Sequence, residues 1–493
     1  MKTHSTDGIK AGWSTADITP TKTSELYGQY YQRVATKVRD PISVTALAIE
    51  QPGKEGGSGQ AILMSCDQAM VSAELVADLR SALAGKIPDF DGMRLVVSAT
   101  HTHSAPSSYD QLKWWKHDPA YLSFEEFRSI LLEALVSSAV TAWTGRVPSA
   151  IGVASGLASV GHCRRPFYQD GSAEMYGSTN RPDFTGMEGP EDDVLGLIGV
   201  WNSTGELTGL LVNVACPSQV MEATYVVTAD MFGEMRRRLR QELGAGIHVL
   251  CQVGAGGDIA PRDLTIPHRN GPTYWDEAGL VELGGRLAAG VLEALPRAEK
   301  AREDDPVFRH SALVPRLPLR MVSPHDYAAA VAQLAALVAC EPADEKSPAS
   351  AYSRFVAKTR EREKLPVPGP YDDKNDDFVL MRNLEAVIER FARQRKEPSA
   401  QIEVHVLRIG GNALSTSPFE LYVDYAMRIR ARSPAALTFH AQLSCDAAGY
   451  LPTARAVGAG GYGALVANGL VGPEGGQMLV ERILEAIGLL FAD

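Results

Sequence analysis

The sequence predicts an α/β fold, with a mixed sheet flanked by helices and a helical insertion in the second half. Three observations lead there. Short, continuously apolar runs alternate with helical stretches. Those runs end in small, polar or glycine-rich segments. Residues 324–400 shift to an alanine-rich and then charged helical composition.

The elements follow in chain order. Residues 43–49, 61–65, 94–98, 210–214 and 248–253 read as buried strands, rich in Val, Ile and Leu. Helical spacing covers 73–83, 124–142 and 232–243. In such sheets the loops after strand C-termini carry the chemistry. A short low-complexity patch, Gly56-Gly57-Ser58-Gly59, precedes the second strand. Residues 324–363 read as helical, Pro366-Val367-Pro368-Gly369-Pro370 breaks them, and a helix resumes over 378–395. Strand character returns at 402–409, and a last helix spans 477–491.

Composition bounds the function. The 493 residues are 45% hydrophobic and 22% charged, an ordinary globular mix. There are 48 Lys and Arg against 59 Asp and Glu, a formal charge of −11. That disfavours nucleic acid and anionic membrane surfaces, which reward a basic face. Met1 to Asp7 is polar, unlike a signal peptide, and no apolar run reaches the ~20 residues of a membrane span. The six cysteines are far apart with no CxxC pair. A reduced, cytoplasmic protein is the expectation.

Several strand ends carry chemistry-bearing residues. His101-Thr102-His103 follows a strand, and in extended backbone residues i and i+2 face one side. The pair suits a metal such as zinc, or is two loop histidines bonded to neighbours. Cys216-Pro217-Ser218-Gln219 offers a metal ligand, a nucleophile or a buried core thiol. Gly254-Ala255-Gly256-Gly257-Asp258 lacks the GK[ST] ending of a phosphate loop. Its Asp258 either supports a ligand or caps the next segment. Glu420, Tyr450 and Tyr462 lie in C-terminal turns, as a metal-ligating carboxylate and tyrosines that hold an oxyanion or pack.

Together these motifs resemble the neutral/alkaline ceramidase family, in its N-terminal catalytic domain. The resemblance rests on Ala16-Asp17-Ile18-Thr19-Pro20, Ser98-Ala99-Thr100-His101-Thr102-His103-Ser104-Ala105-Pro106, Cys163-Arg164-Arg165-Pro166 and Thr228-Ala229-Asp230. Gly257-Asp258-Ile259-Ala260-Pro261, Pro418-Phe419-Glu420, Gly449-Tyr450-Leu451-Pro452-Thr453 and Gly461-Tyr462 continue it in the same order. The resemblance implies one catalytic Zn2+, held by His101, Glu420 and Tyr450. The family's second histidine falls at Cys216, which precedes Pro217 where the family has His-Pro. Either the thiolate replaces it or the metal is lost. The family's serine falls at Ala260, which excludes a serine acyl-enzyme there. The family's C-terminal immunoglobulin-like domain and secretory signal have no counterpart in the sequence. These departures count against ceramide.

The expectation is therefore a cytoplasmic, zinc-dependent amidohydrolase acting on an N-acyl or other amide bond through metal-bound water. His103 is assigned acid/base work; Tyr462 and Arg164 the oxyanion or substrate carbonyl; Asp258 and Asp230 support. Arg164, Arg165 and Arg262 suit a small polar or anionic substrate. The alternatives are an esterase or lactonase on the same site, and a pseudoenzyme without metal. Residues this far apart converge only within one large domain, expected over 8–493 with 324–400 inserted. That insertion roofs the pocket, forms a contact between copies in a homo-oligomer, or both.

Overall fold

An eight-stranded sheet forms the centre of the computed structural model, which describes residues 8–52, 59–109, 115, 117–266, 274–344, 347–364 and 373–492. The glycine patch at 56–58 and the proline break at 366–370 fall outside the described residues. The strands are β1 (Lys10–Asp17), β2 (Ser43–Glu50), β3 (Gln60–Cys66), β4 (Leu95–Ala99), β5 (Val147–Leu157), β6 (Val194–Asn202), β7 (Leu207–Val214) and β8 (His248–Val253). Their order is β8-β7-β6-β5-β1-β2-β3-β4. A four-stranded sheet adds β9 (Phe308–Leu313), β10 (Val404–Ile409), β11 (Asn412–Thr416) and β12 (Thr438–Ala441), in the order β9-β10-β11-β12.

The mixed sheet is as expected, but its pairing is mostly antiparallel. Parallel pairing occurs at the two edges of the large sheet, β3 with β4 and β7 with β8. A third parallel pair, β11 with β12, ends the smaller sheet. Each pair is closed by a crossover helix: α1 (Ala73–Ala84), α3 (Asp230–Leu243) and α8 (Val423–Arg432). The C-terminal ends of these six strands therefore carry the loops that diverge most in chain position, and they meet at one place.

Burial explains why the strands were legible. On β6, Ile198 and Val200 enter one core with Leu211 of β7 and Leu250 of β8. The alternating neighbours Leu195, Leu197, Leu210, Val212 and Val249 enter another. That second core includes Phe232 of α3 and Leu287 of α4 (Glu277–Lys300). Both faces of these strands are covered, so the sequence shows continuous apolar runs. Helix α2 (Phe124–Thr144) starts on a capping box, with Ser123 and Glu126 bonded reciprocally. Helices α5 (Pro324–Ala339), α6 (Ala351–Arg362) and α7 (Asp377–Gln394) lie between two short paired strands, Arg316–Pro318 and Ser399–Gln401.

His440 on β12 joins the two sheets. Its backbone carbonyl accepts from Asn213 Nδ2, at 2.8 Å. Its ring nitrogens lie 2.9 Å from Ser415 Oγ and 3.0 Å from Ser417 Oγ. Burial lowers its pKa to about 3. An unfolded histidine titrates near ~6.5. Between these values the unfolded chain binds the extra proton, so the stability tied to His440 is full above the unfolded pKa and is lost as pH falls toward the folded one. Urea titrations should show the unfolding free energy of the His440→Gln variant falling less steeply between pH 6.5 and 4, by up to about 1.4 kcal/mol per pH unit. Identical slopes in variant and wild type would remove His440 as the cause.

Candidate active site

Five strand-end loops supply the site residues. His101 and His103 follow β4, and Gln219 and Glu222 lie in the loop after β7. Gly254 to Asp258 follow β8, Glu420 follows β11, and Tyr450 lies beyond β12. Gln442 knits two of these loops, its Oε1 accepting from the N–H groups of Gly256 (2.9 Å) and Leu421 (3.2 Å). Gly257 approaches the strand end so closely that a Cβ there would lie 2.3 Å from the carbonyl oxygen of Glu420. The glycine run thus serves backbone packing behind Glu420.

His101 sits at φ 61°, a left-handed conformation unusual for a non-glycine residue. Its Nδ1 lies 2.5 Å from the carbonyl of Ala69. A carbonyl only accepts, so Nδ1 carries a proton and Nε2 is the nitrogen left to face the cavity. That Nε2 faces Glu420 Oε2 at 3.4 Å. Burial pushes the Glu420 carboxyl up, but the His101 contact, the nearby Arg164 and a hydrogen bond from Tyr450 outweigh it, and the net shift is downward. Tyr450 is held well above its usual pKa by burial and then by the Glu420 charge.

His103 packs against His101, with ring centroids 5.0 Å apart. Its Nε2 accepts from Gln219 Nε2 at 2.8 Å, and its Nδ1 is 3.5 Å from Glu222 Oε2. Burial first, and then the charges of His101, Arg33, Lys374 and Arg164, lower its pKa well below the usual value. These effects favour the neutral form of His103. Gly28, at φ 107°, leaves room for its ring: a Cβ there would lie 2.3 Å from His103 Cγ. The fully buried Arg33 clamps the segment, donating to the carbonyls of Thr224 (3.0 Å) and His103 (2.6 Å).

Arg164 closes the opposite wall. Its Nη1 donates to Tyr176 Oη (3.0 Å), and its Nη2 donates to the Gly257 carbonyl (2.9 Å) and Tyr450 Oη (3.4 Å). The same Nη2 is 3.7 Å from Glu420 Oε2. Tyr462 bonds Tyr30 through their hydroxyls at 2.7 Å. Lys374, between α6 and α7, lies 5.0 Å from both of those ring centroids. These side chains line a cavity of about 220 Å³.

The structure thus brings together His101, His103, Arg164, Glu420, Tyr450 and Tyr462 of the residues marked in the sequence. Cys216 lies elsewhere. Its Sγ donates to the Val160 carbonyl at 3.2 Å inside an apolar core, and burial then Asp230 hold the thiol well above its usual pKa. Asp258 is behind the wall: its Oδ1 accepts from the Val423 N–H, 2.9 Å away, at the start of α8. Asp230 accepts from the N–H groups of Val220, Met221 and Met231, and so holds the loop that carries Glu222. Arg165 is locked to buried Glu188, and Arg262 stacks on Trp275 at 4.5 Å. Sequence reasoning missed Glu222, Gln219, Tyr176, Tyr30 and Lys374, which no spacing signals.

His101 Nε2, the Glu420 carboxylate and the Tyr450 hydroxyl fit a metal ion. An imidazole nitrogen, a carboxylate and a phenol oxygen brought to one buried point are donor types that a divalent metal accepts.

No protein-family model matches the chain, and no curated protein does. Solved structures do match. The neutral ceramidase from Pseudomonas aeruginosa superposes with a TM-score of 0.68 at 17% identity, over 99% of this chain and 75% of its own. A ceramidase complexed with C2 superposes at 0.66, again with 17% identity, over 98% of this chain and 75% of its own. The chain therefore has the fold of these ceramidases, with 99% of its length engaged in the match. Among the described residues, no helix is long and apolar enough to cross a membrane.

Proposed function

We propose that the protein is a metal-dependent amide hydrolase for a small, polar or anionic substrate. The observation that carries this is the convergence of His101 Nε2, Glu420 and Tyr450 at one buried point, beside the His103–Glu222 pair. The fold shared with ceramidases supports an amide bond as the target. A zinc-class ion held by His101, Glu420 and Tyr450 would polarise the scissile carbonyl and make water more acidic.

The protein's own groups do the rest. His103 takes the proton of the attacking water at Nε2, where Gln219 donates in the structure. Glu222 stabilises the charge that develops on the ring and keeps Nδ1 protonated. Arg164 and Tyr462 stand against the developing oxyanion. His103 then returns the proton to the leaving amine.

Cavity size speaks to the substrate. About 220 Å³ is below the ~300–1,000 Å³ of pockets for drug-sized ligands, so a long acyl chain is not enclosed. Lys374 and Arg164 place positive charge on two walls, which suits a carboxylate near the amide. All six cysteines are unpaired, in keeping with a cytoplasmic setting.

The test is a panel of N-acyl amino acids, neutral amides and carboxylate-free esters, with and without zinc. Zinc-dependent release of amine from N-acyl amino acids is expected; turnover of esters alone would replace the amide reading. In the same assay Glu222→Gln should lower kcat by about 10²-fold with metal content unchanged. An unchanged kcat would show that the carboxylate does not assist His103.

A further inference from the structure

A second cluster lies apart from the cavity. His405 on β10 is fully buried, and its Nδ1 is 2.9 Å from Nε2 of His310 on β9. The Nδ1 of His310 is 3.0 Å from the carbonyl of Gln60. That carbonyl only accepts, so His310 is protonated on Nδ1 and accepts on Nε2 from the Nδ1–H of His405. The relay leaves Nε2 of His405 as the nitrogen whose lone pair can take a ligand.

That lone pair points at further donors. Glu403 Oε1 is 2.8 Å from it and Cys445 Sγ is 3.7 Å from it. The three ligand atoms lie within 4.8 Å of one another. The thiol also has the Leu95 carbonyl 3.8 Å away, and a metal ion set between the three ligand atoms would be held by all of them. Cys445 is also held at φ 64°, a left-handed strain of the kind found at built sites. Both oxygens of Glu403 accept from Arg80 of α1, which orients the carboxylate. A carboxylate offers about four lone-pair positions, so the guanidinium leaves room for a second partner.

We propose that Glu403, His405 and Cys445 form a second metal site for a zinc-class divalent ion, oriented by His310 and Arg80. A thiolate, an imidazole and a carboxylate are the donor set zinc prefers, and hydrogen-bonded outer partners are its usual support. The ion would clip the smaller sheet to β4, because the Cys445 N–H donates to the Val97 carbonyl at 2.8 Å. Strand β4 leads directly into His101, so the clip steadies the catalytic wall from behind.

Cobalt loading of the full chain tests this independently of turnover. The wild type should show thiolate-to-cobalt charge-transfer absorption. Cys445→Ser should lose it, while Cys216→Ser and Glu420→Gln keep it. Zinc content should fall by one equivalent in Cys445→Ser. No such band in the cobalt-titrated wild type overturns the site whether or not the variant folds. A band that survives Cys445→Ser also overturns it, and its loss in Cys216→Ser would move the thiolate toward the cavity. Glu403→Gln, at the half-buried edge of the cluster, should shift the band; an unshifted band removes Glu403 from the ligands.

Discussion

Glu420→Gln is expected to lower kcat by about 10²–10³-fold or more while leaving the fold intact. The substitution keeps shape and removes one negative charge. That charge is what makes the His101–Glu420–Tyr450 pocket attractive to a cation, and it also anchors Arg164 through the 3.7 Å contact. Losing it removes both sources of electrostatic stabilisation at once. Zinc bound at this site should drop to background by elemental analysis, with circular dichroism unchanged. Wild-type turnover in Glu420→Gln would end the hydrolytic reading at this site. Turnover lost with zinc retained would instead mean that the metal sits on other residues. His101→Ala offers the same test from the opposite side, since it leaves the Glu420 charge in place.

Parts of this arrangement were legible before any coordinates. Strands β2, β3, β4, β7 and β8 show as apolar runs because both of their faces are covered. Strand β1 does not, since its second half, Trp13 to Asp17, is only partly buried and reads as polar. The short β11 and β12 carry too few residues to show a period, so of the smaller sheet the sequence showed β10 at 402–409 and not its partners. Order and direction of pairing were illegible too, because antiparallel and parallel strands buried on both faces look alike in one dimension.

The site divides in the same way. His101, Glu420 and Tyr450 could be named together because their motifs resemble those of one family; spacing alone joins none of them. Glu222 could not, because only the fold brings it to His103: Asp230 pins its loop through the backbone N–H groups of Val220 and Met221. Cys216 shows the reverse error. Motif alignment put it at the metal, but the tight turn there, with the Gln219 N–H bonded to the Pro217 carbonyl at 2.9 Å, presents Gln219 to the cavity instead. The thiol faces the core, three residues away in sequence and on the other side of the wall. Lys374 depends on the long connection between α6 and α7, which no local signal aims.

Arg236→Met should destabilise the fold by roughly 3–5 kcal/mol, the largest loss expected from a residue outside the cavity. Arg236 on α3 forms a two-pronged pair with Asp67, at 2.7 and 2.9 Å, and the side chains are 4% and 0% exposed. Removing the guanidinium strands a buried carboxylate. Ser43 alone then supports it, through its N–H at 2.8 Å and its hydroxyl at 3.1 Å. The consequence reaches the chemistry, because Asp67 begins the loop whose Ala69 carbonyl fixes the tautomer of His101. Catalysis should weaken along with stability. The compensating change is Asp67→Asn on the Arg236→Met background. It removes the stranded charge yet keeps an acceptor for Ser43, so most of the lost stability should return. Urea unfolding of the single and double variants measures this directly. A single variant that loses less than about 1 kcal/mol would mean that water reaches Asp67, and that the pair is a surface contact in energetic terms.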